Sequence, residues 1–427
     1  MTRTMKDSGI EWIGQIPEDW NLIRLQFCLN EIKEKNLPVK SEQVLSLVKD
    51  KGVMPYEEKG NVGNVAKEDI SEYKLAYPNT LILNSMNILI GSVGISKYFG
   101  CVSPVYYVFK ETEMSDLRFI NYICTTNEFQ KELRKYAKGI MEIRLRVSAQ
   151  DIFKRIIAYP NKQEQIKIAD FLDKKCSHID SILEKTKASI DECKQLKQSV
   201  ITQAVTKGIR PNRPMKYSGI EWIGEIPKDW ETIKLKSVVD YNTDTLAENT
   251  EADYEFDYIE IGSVEFGKGI TSTEHLMFKT APSRARRIVK KDDVILSTVR
   301  TYLKAVAQIP EHDIQMIAST GFIVLTAKNE YITPEYLYYS ILSSNFISLV
   351  EANSVGISYP AINSSLLVNY KITYPSIDEQ KQISDYLDNK CTEIDKLITK
   401  KEKLIEELET YKKSLIYEYV TGKKEVI

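Results

Sequence analysis

The sequence predicts an α+β protein in which two pseudo-two-fold-related globular domains are separated by two long antiparallel coiled-coil helices. Three observations carry this expectation. Residues 8–20 read SGIEWIGQIPEDW and residues 218–230 read SGIEWIGEIPKDW, identical at 11 of 13 positions. Further on, residues 159–183 (YPNKQEQIKIADFLDKKCSHIDSIL) answer residues 374–398 (YPSIDEQKQISDYLDNKCTEIDKLI). Between these matches, in 21–158 and 231–373, the letters hardly agree. A frame kept twice around contents that differ twice is expected of a chain that holds two unlike recognition units at a fixed separation. The boundaries follow: globules at 1–158 and 211–373, spacer helices at 159–210 and 374–427.

Within the first globule, an apolar strand over 81–83 leads to Asn84 and Ser85, a glycine-rich turn (Gly91, Gly94), then Ser103-Pro104 and a strand over 105–109. The second repeats this order: a strand over 294–296, Ser297-Thr298, Arg300 to Lys304, Ser319-Thr320 and a strand over 322–325. A helix capped by Ser115 is expected to carry Ile120, Ile123, Phe129 and Leu133, and one started by Thr333-Pro334 to carry Leu337, Ile341, Phe346 and Leu349. Each of these ends before a glycine, Gly139 or Gly356, and a loop read as polar. Shared order with unlike letters implies one fold with two sets of loops.

Each long helix opens on a capping-box pattern, Asn161-x-x-Glu164 or Ser376-x-x-Glu379. Apolar residues then recur at spacings of three and four: Ala169, Leu172, Cys176, Ile179, Leu183, Ile190, Cys193, Val200 and Ala204 in one, Leu387, Cys391, Ile394, Ile398, Ile405, Leu408, Leu415 and Tyr419 in the other. Thr186, Lys197, Ser384, Lys401 and Lys412 interrupt the stripes. Ile182, Leu196, Val205, Leu397, Leu404, Tyr411 and Val420 widen them beyond a two-stranded zipper, which predicts a further docked element. At about 1.5 Å per residue, each helix of about 45 residues spans roughly 65 to 70 Å. Gly208 and Gly422 mark the ends, and residues 209–215, with Pro211 and Pro214, suit a short stiff linker. The paired tryptophans, Trp12 with Trp20 and Trp222 with Trp230, are expected to pack the start of each globule.

Composition bounds the chemistry. At 427 residues each globule can bury a core, and no apolar run reaches the length of a membrane span or a signal peptide, so a soluble cytoplasmic chain is expected. The six cysteines (Cys28, Cys101, Cys124, Cys176, Cys193, Cys391) lack CxxC spacing and only His178, His275 and His312 could join them, which argues against zinc or a disulfide framework. Net charge is -2, unlike a chain that neutralises phosphate on its own. Local runs differ from the average. Lys131, Arg134, Lys135, Lys138, Arg144, Arg146, Lys154 and Arg155 crowd one stretch, and Arg284, Arg286, Arg287, Lys290, Lys291, Arg300 and Lys304 another; either a solvated face or an anion-binding face fits such runs.

The twin SGIEWIGxIPxDW openings, the twin YPxxxEQ helix starts and the SPVYYVF and STGFIVL strands resemble the specificity subunit of type I restriction-modification systems, over essentially the whole chain. That resemblance implies a non-catalytic DNA-specificity subunit: two target-recognition domains, one for each half of a bipartite asymmetric site, with helices that dock two methyltransferase subunits and, in the larger complex, restriction subunits. Cofactors would then sit on partners, S-adenosylmethionine on the methyltransferase, ATP and magnesium on the restriction subunit. The residues agree, since neither a glycine-rich S-adenosylmethionine loop nor an Asn/Asp-Pro-Pro-aromatic motif is present. Gly262-x-x-x-x-Gly267-Lys268 resembles a phosphate-binding loop, but Gly269 stands where a Ser or Thr would hold magnesium. The alternative is an architectural coiled-coil scaffold whose globules bind protein.

For reading duplex DNA, Arg and Lys suit guanine, Asn and Gln suit adenine, and Ser grips phosphate. On those grounds the candidates are Asn84, Ser92, Lys97, Lys131, Arg134, Lys138, Arg144 and Arg146 in the first domain. In the second they are Arg284, Arg286, Arg287, Arg300, Lys304 and Ser358. The competing expectation for Arg287 is an ion pair with Asp292 or Asp293.

Overall fold

A carboxylate at the head of each long helix explains why the two distant motifs are repeated together. The computed structural model describes residues 3–49, 51–60, 66–139 and 145–426. The chain divides into two units, Met1–Thr186 with Lys403–Ile427, and Lys187–Glu402. In the first, Met5–Asp7 pairs antiparallel with Gln15–Pro17, over buried Ile13, Ile16 and Trp20. The Trp20 indole N–H donates to Glu164 at 3.1 Å, while Arg3 donates to Glu164 at 2.6 Å and to Asp19 at 2.7 Å. Glu164 lies in the first turn of the long helix Lys162–Lys207. Beside it, Gln165 donates to the Pro160 carbonyl at 2.9 Å and accepts from the Asp116 N–H at 2.9 Å.

The second unit repeats every part. Met215–Tyr217 pairs with Glu225–Pro227, Trp230 donates to Glu379 at 2.9 Å, and Arg213 bridges Glu379 and Asp229. Gln380 donates to the Pro375 carbonyl at 3.0 Å and accepts from the Thr333 N–H at 2.9 Å. The capping-box expectation is therefore half met. Asn161 does accept from the Glu164 N–H at 3.0 Å, but the glutamates turn away from the backbone because an arginine and an indole offer stronger, partly buried donors.

Each long helix also ends on such a hub. The first terminates at Gly208 (φ 73°), where a Cβ would lie 3.1 Å from Arg213 and 3.3 Å from Trp230. The second, Ile377–Val420, runs on to Gly422 (φ 73°), where a Cβ would strike Pro17 and sit 3.2 Å from Trp20. Left-handed backbone and close approach both demand glycine there.

Within each unit the two helical segments run antiparallel. In the first, Phe171 stacks on Tyr419 with ring centroids 4.5 Å apart, and Lys412 donates to Asp180 at 2.5 Å. In the second, Lys197 meets Asp395 at 2.7 Å and Arg210 meets Gln382 at 3.1 Å. Ala169, Leu172, Cys176, Ile179 and Leu183 are buried in the one seam, and Leu387, Cys391 and Ile398 in the other. Lys197 and Lys412, which interrupt the stripes, are thus the residues that fix register, as a lone polar residue in an apolar seam does. Lys197 also donates to the Gly267 carbonyl at 2.8 Å, tying a loop of the globule to the helix.

Both globules contain the same four-stranded sheet. The order in the first is Leu29–Ile32, Tyr106–Glu111, Leu81–Asn84, Val93–Ile95, and in the second Val239–Tyr241, Phe322–Ala327, Val294–Ser297, Val306–Gln308, every pair antiparallel. A second sheet in the second unit orders Glu274–Met277, Glu255–Ile259, Met316–Ser319 and Ala285–Val289, with its middle pair parallel. Its counterpart in the first unit is two ribbons, Gly52–Pro55 with Leu45–Val48 and Gly100–Val102 with Lys74–Ala76, joined by a parallel bridge from Val44 to Cys101.

The helix expected after the sheet is split in each unit, into Leu117–Thr125 and Asn127–Arg134, and into Pro334–Leu342 and Ser344–Ala352. Extended backbone at Thr126 and Ser343 makes the breaks. Thr333 caps as expected, but Ser115 does not: the cap is Asp116, whose carboxylate accepts from the Arg118 and Phe119 N–H groups, and the Ser115 hydroxyl is buried against the Cys28 carbonyl at 2.6 Å. A carboxylate is the stronger acceptor at a helix start. Five of the six cysteines are buried, and burial alone pushes the Cys28 and Cys124 thiols up to about 12. No described helix is long and apolar enough to cross a membrane.

Glu379→Ala should cost the second unit about 3 kcal/mol, because it leaves the Trp230 N–H buried without an acceptor and the mostly buried Arg213 guanidinium with Asp229 alone. Glu164→Ala should cost less, about 1 to 2 kcal/mol, since that carboxylate is 20% exposed. Urea unfolding followed by tryptophan fluorescence reads both hubs directly, all four tryptophans lying in the opening motifs. Equal midpoints for the two variants and the unaltered chain would contradict this assignment.

Candidate nucleic-acid interface

In each unit a rim of loops forms at the end of the four-stranded sheet, held by the same backbone bonds. In the first, the Ser85 N–H donates to Val105 at 3.3 Å and the Ser85 carbonyl accepts from Val147 at 3.0 Å. In the second, the Thr298 N–H donates to Gly321 at 2.8 Å and its carbonyl accepts from Ile362 at 2.9 Å. Both rims then carry a pinched loop. Lys138 and Arg146 exchange N–H···O bonds of 2.8 and 2.9 Å, and Val355 and Ala361 exchange bonds of 2.9 and 3.0 Å.

The first rim gathers Asn84, Ser92, Lys138 and Arg146. Asn84 ends its strand, accepts from the Met86 N–H at 3.0 Å, and donates its own N–H to Ser92 at 3.2 Å. Asn84 and Ser92 line a cleft of about 320 Å³ with Asn87, Ser103 and Tyr106, whose phenol is held above its usual range by burial. Arg146 and Lys138 are exposed. Lys131 and Arg134 stand exposed on Asn127–Arg134, the helix leading to this loop. Lys97 does not join them. It follows Ser96, which pairs with Thr80 at the opposite end of the strand from Asn84. Arg144 lies outside the described residues.

The second rim gathers Arg284, Arg300, Lys304 and Ser358. Thr320 donates its N–H to the Arg284 carbonyl at 2.8 Å, and the Thr301 N–H reaches Pro360 at 3.4 Å. Arg300 lies over the Tyr359 ring at 5.0 Å, and Lys304 pairs with Glu351 at 3.1 Å. Arg300 and Lys304 hold φ of 54° and 52°, left-handed conformations that non-glycine residues adopt at a cost and that cluster at functional sites. Ser297, just before Thr298, buries its hydroxyl without a hydrogen-bond partner.

Two predicted arginines sit differently. Arg286 occupies a bulge in Ala285–Val289, with its guanidinium 4.7 Å from the Phe278 ring and donating to the Ala285 carbonyl at 2.9 Å. Arg287 reaches Thr245 Oγ1 at 3.4 Å, while its Nε is buried without a partner and burial lowers its pKa. The ion pair of Arg287 with Asp292 or Asp293 is not formed. Asp293 is turned inward to accept from Thr326 at 2.6 Å and from the Lys290 N–H at 2.8 Å, and Asp292 faces Gln308. Lys290 and Lys291 pair with Asp244 and Glu311, as a solvated face would. The phosphate-loop pattern is a hairpin, Val264–Glu265 against Gly269–Ile270, whose Lys268 pairs with Glu265 at 2.9 Å. Among the described residues no group of His, Cys, Asp or Glu could hold a metal ion.

The loop after Gly356 was expected to be polar and is not. Val355, Ile357 and Tyr359 are 81%, 102% and 62% exposed. On the helices, Val205 and Val420 turn inward, whereas Leu196 and Leu397 in one unit and Leu404 and Tyr411 in the other stay exposed.

Residues 227–410 match the sequence model of the type I restriction modification DNA specificity domain. The chain is 26% identical over 399 residues to the type I restriction enzyme MjaVIII specificity subunit of Methanocaldococcus jannaschii, covering 91% of this chain and 89% of that one. Over nearly its whole length the chain is thus similar to a type I restriction enzyme specificity subunit, and its second half carries the DNA specificity domain. Two solved structures share its fold at 14% identity. One, from work on assembly and conformational transition of the type I R-M system, gives a TM-score of 0.71 over 96% of this chain and 99% of that one. The other, the HsdS subunit from Thermoanaerobacter tengcongensis, gives 0.53 over 96% and 98%.

The rims offer what a duplex asks of a DNA specificity domain, guanidinium and ammonium groups for phosphate and guanine and the exposed Ser358 hydroxyl, on backbone fixed by the sheet, whereas the expected contacts Asn84 and Ser92 are only 4% and 3% exposed. Arg300→Ala should weaken duplex binding by the assembled complex and reduce the slope of log K against log salt by about 0.9, one phosphate contact. Arg118→Ala, which removes a guanidinium already shared by Asp116, Asp170 and Asp173, should leave that slope unchanged. A salt titration compares them, and equal slopes for Arg300→Ala and the unaltered chain would remove Arg300 from the interface.

Proposed function

We propose that this chain is a non-catalytic DNA-specificity subunit that reads a bipartite, asymmetric duplex site, one half with each unit, and docks two methyltransferase subunits. The supporting observation is the doubled rim: the same backbone bonds at Ser85 and Thr298 present different surface residues, Lys138 and Arg146 in one unit and Arg284 and Arg300 in the other. One scaffold with two loop sets suits two different half-sites. The exposed leucines of the helical segments, Leu196, Leu397 and Leu404, supply apolar surface for the methyltransferases. S-adenosylmethionine then belongs to the methyltransferase, ATP and magnesium to a restriction subunit, and the assembly works in the cytoplasm. A net charge of -2 fits a subunit that leaves part of the phosphate neutralisation to its partners.

Replacing residues 21–158 by the equivalent domain of another family member should change one half of the methylated site and leave the other half intact. Methylome sequencing of cells expressing the chimaera with its methyltransferase reads this out. A change in both halves would refute the assignment of one unit to one half-site, and protein binding without any sequence-dependent retention on DNA would favour a scaffold.

A further inference from the structure

The loop from Val355 to Ala361 carries apolar side chains where a solvent-facing turn would carry polar ones. Isolated exposed apolar residues are ordinary. Here three fall within five positions, and Ile357 at the tip is 102% exposed. The loop is held firmly. Val355 and Ala361 close it with reciprocal hydrogen bonds, the Thr301 N–H ties Pro360 to the neighbouring turn, and Val299 bridges Ala361. Gly356, at φ 122°, lets the two sides approach so closely that a Cβ would lie 3.1 Å from the Tyr359 carbonyl. The fold therefore orders a narrow projection whose end gains nothing from water.

Its surroundings identify what it meets. Arg300 lies against Tyr359 on the side of the loop, Arg284 follows on the adjoining turn, and Lys304 neutralises Glu351 on the same rim. An apolar tip with a guanidinium at its side, and a second on the adjoining turn, complements a polyanion that displays an apolar group inside a groove. A hydrophobic protein surface would use the tip and leave the guanidinium groups unmatched. Duplex DNA presents such an apolar group, the thymine 5-methyl, in the major groove, which is about 12 Å wide and admits a two-stranded ribbon.

We propose that Ile357 is a specificity-determining side chain, inserted into the major groove and packed against a thymine methyl in the half-site read by the second unit. The proposal rests on the DNA-specificity reading above. It is tested with the complete complex of this chain and its methyltransferase, on duplexes in which each thymine of that half-site is replaced in turn by deoxyuridine, a change that removes the methyl group alone. The unaltered complex should lose about four-fold in affinity at one thymine, the worth of one methyl group returned to water. Ile357→Ala should lose a similar amount on the natural duplex and no longer distinguish thymine from uracil there, while Ile357→Val keeps part of the preference. A wild-type thymine preference at every position in Ile357→Ala would overturn the proposal, as would loss of methyltransferase binding by that variant in the absence of DNA. If the unaltered complex shows no sequence preference at all, the specificity reading fails, and this inference with it.

Discussion

A carboxylate shared by an indole N–H and a guanidinium holds each half of this protein together. Glu164 and Glu379 sit at helix starts, where the positive end of the helix already favours negative charge, and each accepts from the last tryptophan of an opening motif and from the arginine, Arg3 or Arg213, just upstream of that motif. Charge-assisted bonds of this kind are directional as well as strong, so they set the angle at which the globule meets the helix. The neighbouring glutamines, Gln165 and Gln380, extend the hub into the start of the next globular helix through the Asp116 and Thr333 N–H groups. A glycine after each long helix then lets its end pass under a tryptophan.

Because the hub fixes orientation, the loops are released from structural duty. The four-stranded sheets agree strand for strand, yet their rims carry different chemistry, amide and hydroxyl around a cleft in the first unit, guanidinium and an apolar tip in the second. Backbone bonds at Ser85 and Thr298 hold the loops whatever their side chains. Recognition by such a surface can change through substitution alone, since a backbone N–H or carbonyl is indifferent to the residue that bears it.

The seam between helical segments shows a second use of buried polarity. Lys197 and Lys412 interrupt apolar stripes, and each meets an aspartate of the facing segment. Ion pairs with one exposed partner contribute little stability, but a charged residue in an apolar seam makes other registers unfavourable, since sliding would strand it. Register in turn decides which globular loop reaches the helix, as the bond from Lys197 to the Gly267 carbonyl shows.

Duplication, the long amphipathic helices, their glycine ends and the order of strands were legible from letters alone, because each is a periodic or repeated pattern that local chemistry imposes. Residue type alone put Arg284, Arg300 and Lys304 forward as candidates, since it limits what a side chain can recognise; that they share one rim is a product of the fold. Tertiary structure decided the rest. Asp116 displaces Ser115 as a cap, Glu164 and Glu379 leave the capping box, and Asp293 turns inward from Arg287, each because a partner distant in sequence offers a better bond. Lys97 falls at the wrong end of its hairpin for the same reason: sequence gives proximity along the chain, and only the pairing of strands tells which end of a sheet a residue occupies. Ile357 was invisible as a candidate, since an isoleucine in a chain reads as core until the fold shows it standing in water.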